Sequence, residues 1–181
     1  MFEPENSGDV PSSTKTEFKI AYTDKDFYVA VYLYDDEPDL IPTQFSQRDQ
    51  VFVQADNIAV AINTYNDGQN ETRFWTTSAG TIGDSRLTPG NQDFGFDTVF
   101  ECRVTKDSRG WYAEYRIPYN ALRFPEVKVQ DWSINIYRRL VRQNETHTWS
   151  PIDRTIGRET QYNGTITGIY DINPPTRLTF F

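Results

Sequence analysis

The sequence predicts a single all-β domain over residues 1–181, folded as a two-sheet antiparallel β-sandwich. Three observations predict it. Short runs of strand-like residues recur along the chain, nine or ten in all, and turn signals separate them. Aromatic residues make up 15% of the chain, with eleven Tyr and twelve Phe, the types that suit a pleated, half-buried surface. A chain of 181 residues also buries roughly 70% of its unfolded surface, so one core suffices without covalent staples.

The elements follow in order. Thr16 to Tyr22 alternates strictly, with Phe18, Ile20 and Tyr22 on one face and Glu17 and Lys19 on the other. Asp24-Lys25-Asp26 turns the chain into Phe27–Tyr34, where both faces are apolar or aromatic, as in a central strand. The acidic, Pro-containing stretch Asp35 to Pro42 is a loop. Asn57 to Asn63 buries Ile58, Val60 and Ile62, and Asn66-Asp67-Gly68 supplies positive-φ residues for a hairpin into Arg73–Thr77. Gly83 to Asp97 is polar, holds Pro89-Gly90 and lacks periodicity, which predicts a long loop in a common location for function. Thr98–Val104 and Trp111–Ile117 pair across Asp107-Ser108-Arg109-Gly110, and Pro118 ends the second strand. Tyr119 to Phe124 is the one helical candidate. Asp131–Arg142 and Glu145–Ser150 form a last hairpin across Gln143-Asn144, and strands near Gly164–Ile172 and Thr176–Phe181 close the domain.

Composition excludes several function classes. A net charge of −8 without a basic run argues against nucleic acid and anionic lipid as partners. One cysteine, Cys102, and one histidine, His147, cannot assemble a Cys/His zinc site or an internal disulfide. No stretch approaches the roughly 20 apolar residues of a membrane helix. Met1 placed directly before Phe-Glu-Pro and the apolar ending Leu178-Thr179-Phe180-Phe181 are expected of a soluble module cut from a longer parent.

Catalytic constellations are weak. The 26 acidic residues include one dense group, Asp35, Asp36, Glu37 and Asp39, which a solvated loop explains better than a catalytic pair or a calcium site. Asn63-Thr64-Tyr65-Asn66-Asp67-Gly68 fails as a calcium loop because Tyr65 stands where a ligand is needed. No Gly-x-Ser-x-Gly precedes a helix, and His147 reads as an ordinary strand residue. No catalytic residue is assigned.

The aromatics are more informative. Flat rings can pack on the apolar faces of pyranoses while nearby amides and guanidinia bond the hydroxyls. Trp75 and Trp149 fit that role, whereas Trp111 and Trp132 open apolar-faced strands and belong to the core. Along Asp131–Arg142, Trp132, Ile134, Ile136 and Leu140 share one face, leaving Asn135, Tyr137 and Arg139 on the other. A ligand face of Trp75, Asn135, Tyr137 and Arg139 is one outcome; a plain packed or solvated face is the stronger competitor. Exposure of Trp75 discriminates between them. Arg138, on the apolar side, is expected to pair with a carboxylate or to reach water at the sheet end.

Several blocks together resemble one family. They are Thr16–Tyr22 followed by Phe27–Val31, Arg48-Asp49 with Asp56-Asn57, Asn63–Gly68, Gly110-Trp111-Tyr112-Ala113-Glu114-Tyr115-Arg116-Ile117-Pro118, Leu122-Arg123-Phe124 and Trp149-Ser150-Pro151. In this order they are similar to the family 9 carbohydrate-binding module, in the version found at the front of bacterial outer-membrane proteins of the DUF5916 group. The resemblance implies an immunoglobulin- or jelly-roll-like sandwich that binds an oligo- or polysaccharide without cutting it, and a calcium ion as a cofactor without assigned ligands. It also implies an outer-membrane β-barrel in the same parent chain and a place in the cell envelope of a Gram-negative bacterium. The runner-up is an interaction domain of that parent without sugar binding; an enzyme is third. Saccharide-binding members clamp the sugar between two tryptophans, and here one clamp position is Val53 while Gly157–Gln161 supplies no aromatic for the other. The family's Glu and Arg at the site are matched by Ala59 and Trp75.

Overall fold

Alternation and turn chemistry divide the chain into twelve strands among the residues that the computed structural model describes, 2–3, 10–153 and 157–175. They are β1 (Phe2–Glu3), β2 (Thr16–Tyr22), β3 (Asp26–Tyr34), β4 (Asn57–Asn63), β5 (Glu71–Thr77) and β6 (Ile82–Thr88). The second half of the chain supplies β7 (Asn91–Asp93), β8 (Glu101–Asp107), β9 (Gly110–Pro118), β10 (Val129–Leu140), β11 (Glu145–Thr148) and β12 (Gly164–Tyr170). All pairings are antiparallel. The smaller sheet runs β2-β3-β9-β8, and the larger runs β1-β11-β10-β4-β5-β6-β7, with β12 pairing the first half of β10. The strand expected over Thr176–Phe181 lies outside the described residues.

The two inner faces make the core. From the small sheet come Phe27, Val29, Val31 and Leu33 of β3 and Trp111, Ala113, Tyr115 and Ile117 of β9; from the large sheet come Ile58, Val60, Ile62, Phe74, Ile134 and Ile136. Trp132 is fully buried against Phe27, Tyr119 and Phe124, with centroid distances of 5.3, 6.2 and 5.4 Å. The expected helix at Tyr119–Phe124 is a single 3-10 turn over Tyr119–Ala121, which Pro118 starts and the Tyr119 hydroxyl anchors by donating to the Thr23 carbonyl at 2.9 Å.

Arg138 departs from expectation. It is 1% exposed, and its guanidinium donates to the carbonyls of Thr14 (2.7 Å) and Tyr34 (2.8 Å) rather than to a carboxylate or to water. Burial lowers its pKa to about 10, with Asp56 and Asp35 opposing the shift.

The Gly83–Asp97 loop is the main correction. Most of it is β6 and β7, joined by the two-residue turn Pro89-Gly90 with Gly90 at φ 82. Hydrophobic alternation is missing because Asp84 and Ser85 are buried polar residues with dedicated partners, and Gly83 admits the Asp49 backbone, whose Cα would lie 3.0 Å from an added Cβ. Asn66 and Gly68 do take positive φ (49 and 64), within a longer connection, 64–70, than a tight hairpin has.

Both faces of the large sheet are covered. All seven residues of β4 are buried, the inner row by the core and the outer row by the segments that precede β4 and follow β11. Those segments contribute Val51, Ile152 and Tyr162 to a second apolar cluster with Ala59, Ala61, Trp75 and Tyr137.

Candidate functional site

The outer face of the large sheet is where the expected ligand face falls, and strand register decides what it can do. Tyr137 of β10 pairs with Ala59 of β4, Ala59 with Trp75 of β5 and Trp75 with Gly83 of β6, so that the four form one row over four strands.

 The small Ala59 separates Tyr137 from Trp75 in this row, and the space over Gly83 is taken by Asp49 and Val51. Trp75 is 6% exposed and Tyr137 8%, so they are packed inside and form no open groove with Arg139. Trp75 donates its Nε1–H to Ser85 Oγ at 3.0 Å, and the Arg73 guanidinium lies 4.5 Å from the Tyr137 ring centroid. Asn135 is fully buried as a clip: its Oδ1 accepts from the Ser150 backbone N–H at 2.9 Å, and its Nδ2 donates to the Ser150 carbonyl at 3.2 Å. Arg139 sits one row further along, opposite Asn57.

Trp149 lies elsewhere. It is 49% exposed and packs edge-on against Phe18 of β2 at 5.2 Å, over Gly164 of β12, where an added Cβ would collide with its ring. The structure therefore brings Trp75, Asn135 and Tyr137 together in a packed layer and leaves Trp149 on the flank.

At the mouth of the packed layer stand two rings that sequence reasoning missed. Phe52 meets Trp75 at 5.1 Å and Phe94 at 5.7 Å, and Phe94 lies 6.5 Å from Trp75. Phe52 is 52% and Phe94 38% exposed, so this cluster is open to solvent on one side. Gln92 Nε2 donates to the same Ser85 hydroxyl at 3.0 Å, which places an amide beside the rings. Neither phenylalanine belongs to a periodic run; the available signal was a short apolar cluster bounded by polar residues, Val51-Phe52-Val53 between Gln50 and Gln54 and Phe94-Gly95-Phe96 between Asp93 and Asp97.

Arg48 holds the two loops in place. Its Nη2 donates to Asp84 Oδ1 (2.5 Å), Asp97 Oδ1 (3.2 Å) and the Thr98 carbonyl (2.8 Å), tying the segment that carries Phe52 to the one that carries Phe94. Asp84 is fully buried and also accepts from the Thr98 backbone N–H at 2.8 Å. Desolvation pushes its carboxyl up to about 6, against the opposing pull of Arg48.

The calcium ion implied by resemblance meets no suitable donor set among the described residues, where no group of three or more His, Cys, Asp or Glu side chains is placed to hold a metal. Around Asp84 the cationic position is taken by the Arg48 guanidinium. In the loop after β4, Asp67 Oδ1 is engaged by the Gln69 N–H (2.8 Å) and the Asn63 side-chain amide (2.9 Å). What the arrangement offers chemically is ring stacking beside amides.

Comparison with known proteins bears on the family and the fold. A family model described as carbohydrate family 9 binding domain-like matches residues 4–166. A Bacteroides uniformis protein to which carbohydrate binding is provisionally ascribed superposes with a TM-score of 0.68 at 15% identity, covering 90% of this chain and 82% of that one. A family 9 carbohydrate-binding module from Caldicellulosiruptor kristjanssonii, in complex with cellotriose, gives 0.61 at 13% identity over 92% of this chain and 79% of that one. The glucose complex of a module of that family from the same organism gives 0.54 at 12% identity, covering 94% and 82%. No curated protein sequence matches the chain.

Proposed function

The chain belongs to the carbohydrate family 9 binding domain-like family, and from that premise we propose that it binds a saccharide through Phe52 and Phe94, over the buried Trp75. The family is one of non-catalytic binding modules, and the chain is a binding module rather than an enzyme. One observation carries the proposed location: the layer of Trp75 and Tyr137 is packed inside, yet its mouth presents two open rings in contact with the buried Trp75. At the positions where saccharide-binding members have Glu and Arg, this chain has Ala59 and Trp75, and Tyr137 and Trp75 occupy the space over that row. A sugar here packs its C–H face on the phenylalanines, because an aromatic face is the negative side of the ring quadrupole. The Gln92 amide, which bonds the same Ser85 hydroxyl as Trp75, borders the rings as a hydrogen-bonding group. The solved modules complexed with cellotriose and glucose support β-glucans as the first ligands to try.

A second reading has its own observation. Because Trp75 and Tyr137 are packed inside, the groove expected from them with Arg139 does not form, which favours an interaction domain without sugar binding. In either case we place the chain in the envelope of a Gram-negative bacterium, joined to an outer-membrane barrel of the same parent and linked to polysaccharide breakdown. Support for this placement is the likeness to DUF5916 proteins, and fractionation of cells carrying the full-length parent tests it. A glycan array probed with the wild-type domain and with Phe52→Ala/Phe94→Ala tests the saccharide reading. Retention of named glycans by the wild type and their loss from the double variant is the expected result; an empty array gives the ground to the interaction reading.

A further inference from the structure

The outer face of the small sheet is built differently from a solvated surface. Two side-chain rows cross it. In one, Glu17, Tyr32 and Tyr112 are register neighbours on β2, β3 and β9; in the next, Lys19, Ala30 and Glu114 are. Ala30 is a low floor beside an aromatic wall, and the Tyr32 and Tyr112 rings meet edge to face at 3.9 Å. The wall is fixed before any ligand arrives, since both hydroxyls donate to Asp107, at 2.8 and 2.9 Å. Such pre-ordering lowers the entropic cost of binding. Trp149 closes the end of this cleft beyond the β2 edge, and the open groove holds about 640 Å3, the size of a small-ligand site.

Charge indicates the occupant. In a chain of net charge −8, this face is balanced: Glu17, Glu101, Asp107 and Glu114 are matched by Lys19, Arg103, Arg109 and Arg116. Arg109 is paired with Asp107 at 3.4 Å and Arg116 with Glu101 at 3.1 Å. Lys19 and Glu114 form no ion pair among the described residues and flank Ala30 on opposite sides. A balanced face neither attracts nor repels an ion, while a free ammonium and a free carboxylate beside flat rings suit the hydroxyls and C–H faces of a neutral sugar. From β2 to β9 the cleft spans two strand spacings, about 10 Å, room for more than one sugar residue.

We infer that this face is a second saccharide cleft, taking a neutral glycan chain over Ala30 with Trp149 at one end and Tyr32 and Tyr112 along the wall. The inference takes its ligand class from the saccharide-binding reading but not its location, because Phe52 and Phe94 lie on the other sheet.

Amide and indole NMR shifts of the wild-type domain, titrated with neutral β-linked hexasaccharides of glucose, xylose and mannose, test it. At least one hexasaccharide is expected to shift Ala30, Tyr32, Tyr112 and the Trp149 indole. Ala30→Lys fills the floor at an exposed position that needs no repacking; it should weaken these shifts at least tenfold in affinity and leave those at Phe52 and Phe94 unchanged. Trp149→Ala should weaken them several-fold. Shifts at Phe52 and Phe94 without any at the cleft overturn the second cleft alone. Shifts at the cleft without any at the phenylalanines support the cleft and overturn the first location, and no shifts with any of the three overturn both. Cleft shifts that persist in Ala30→Lys at wild-type affinity also refute the inference.

Discussion

Replacing Arg48 by Ala should destabilise the domain in a way that depends on pH. The guanidinium is paired with Asp84 at 2.5 Å, and the Asp84 side chain is fully buried while Arg48 is about one-third exposed. Removing one partner of a buried pair costs about 3–5 kcal/mol; solvent access on the arginine side brings the expectation down to about 2–3 kcal/mol at pH 8. Asp84 already titrates near 6 because it is desolvated, and Arg48 is what holds it from rising further. In Arg48→Ala its pKa moves up, so at pH 5 the carboxyl is neutral and no unpaired charge is buried. The sign follows: the folded pKa lies above the unfolded value of 3.8, so this group favours the folded state increasingly as pH falls from above 6 towards 4. Urea unfolding of wild type and variant at pH 8 and pH 5 should give a loss of about 2–3 kcal/mol at the first and below about 1 kcal/mol at the second. Asp84→Asn in the Arg48→Ala background should recover most of the loss at pH 8. An equal loss at both pH values, or none at pH 8, refutes the role assigned to this pair.

Three further outcomes follow from packing. Trp132→Ala, at the fully buried junction of Phe27, Tyr119 and Phe124, should cost about 3–5 kcal/mol by chemical denaturation. Ala59→Glu, which puts the family's carboxylate beneath Trp75 and Tyr137, should cost at least about 3 kcal/mol through overpacking and an unpaired buried charge, without gaining glycan affinity. Gly164→Ala should push the Trp149 ring off its seat, since the added Cβ would collide with the ring; the readout is greater acrylamide quenching of tryptophan emission.

How far the sequence foretold this structure depended on period. β2, β3, β4 and β9 were legible because one face alternates, and Trp111 and Trp132 were placed in the core for that reason. β6 was not, because Asp84 and Ser85 are buried by specific hydrogen bonds that no hydropathy pattern reports. The covering of the second face of β4 had a signal in its unbroken Ile58-Ala59-Val60-Ala61-Ile62 run, which is typical of a strand buried on both sides. Trp75, Asn135 and Tyr137 share one layer, as alternation places them, but it is packed inside and presents no open face with Arg139. Their burial was not legible, since it comes from Val51, Phe52 and Ile152 in distant irregular segments. Phe52 and Phe94 escaped notice because they lie between strands, where only tertiary contacts bring them together.

Titration calorimetry of the wild-type domain and of Phe52→Ala/Phe94→Ala, with the glycan best retained on the array, tests the central claim most directly. The account predicts saturable binding by the wild type and a loss of about tenfold in affinity per ring at the phenylalanine site, with the double variant still unfolding cooperatively at a lower midpoint, because both rings are only partly exposed and pack on Trp75. Equal affinity in the double variant, or no heat from the wild type with any retained glycan, would contradict it.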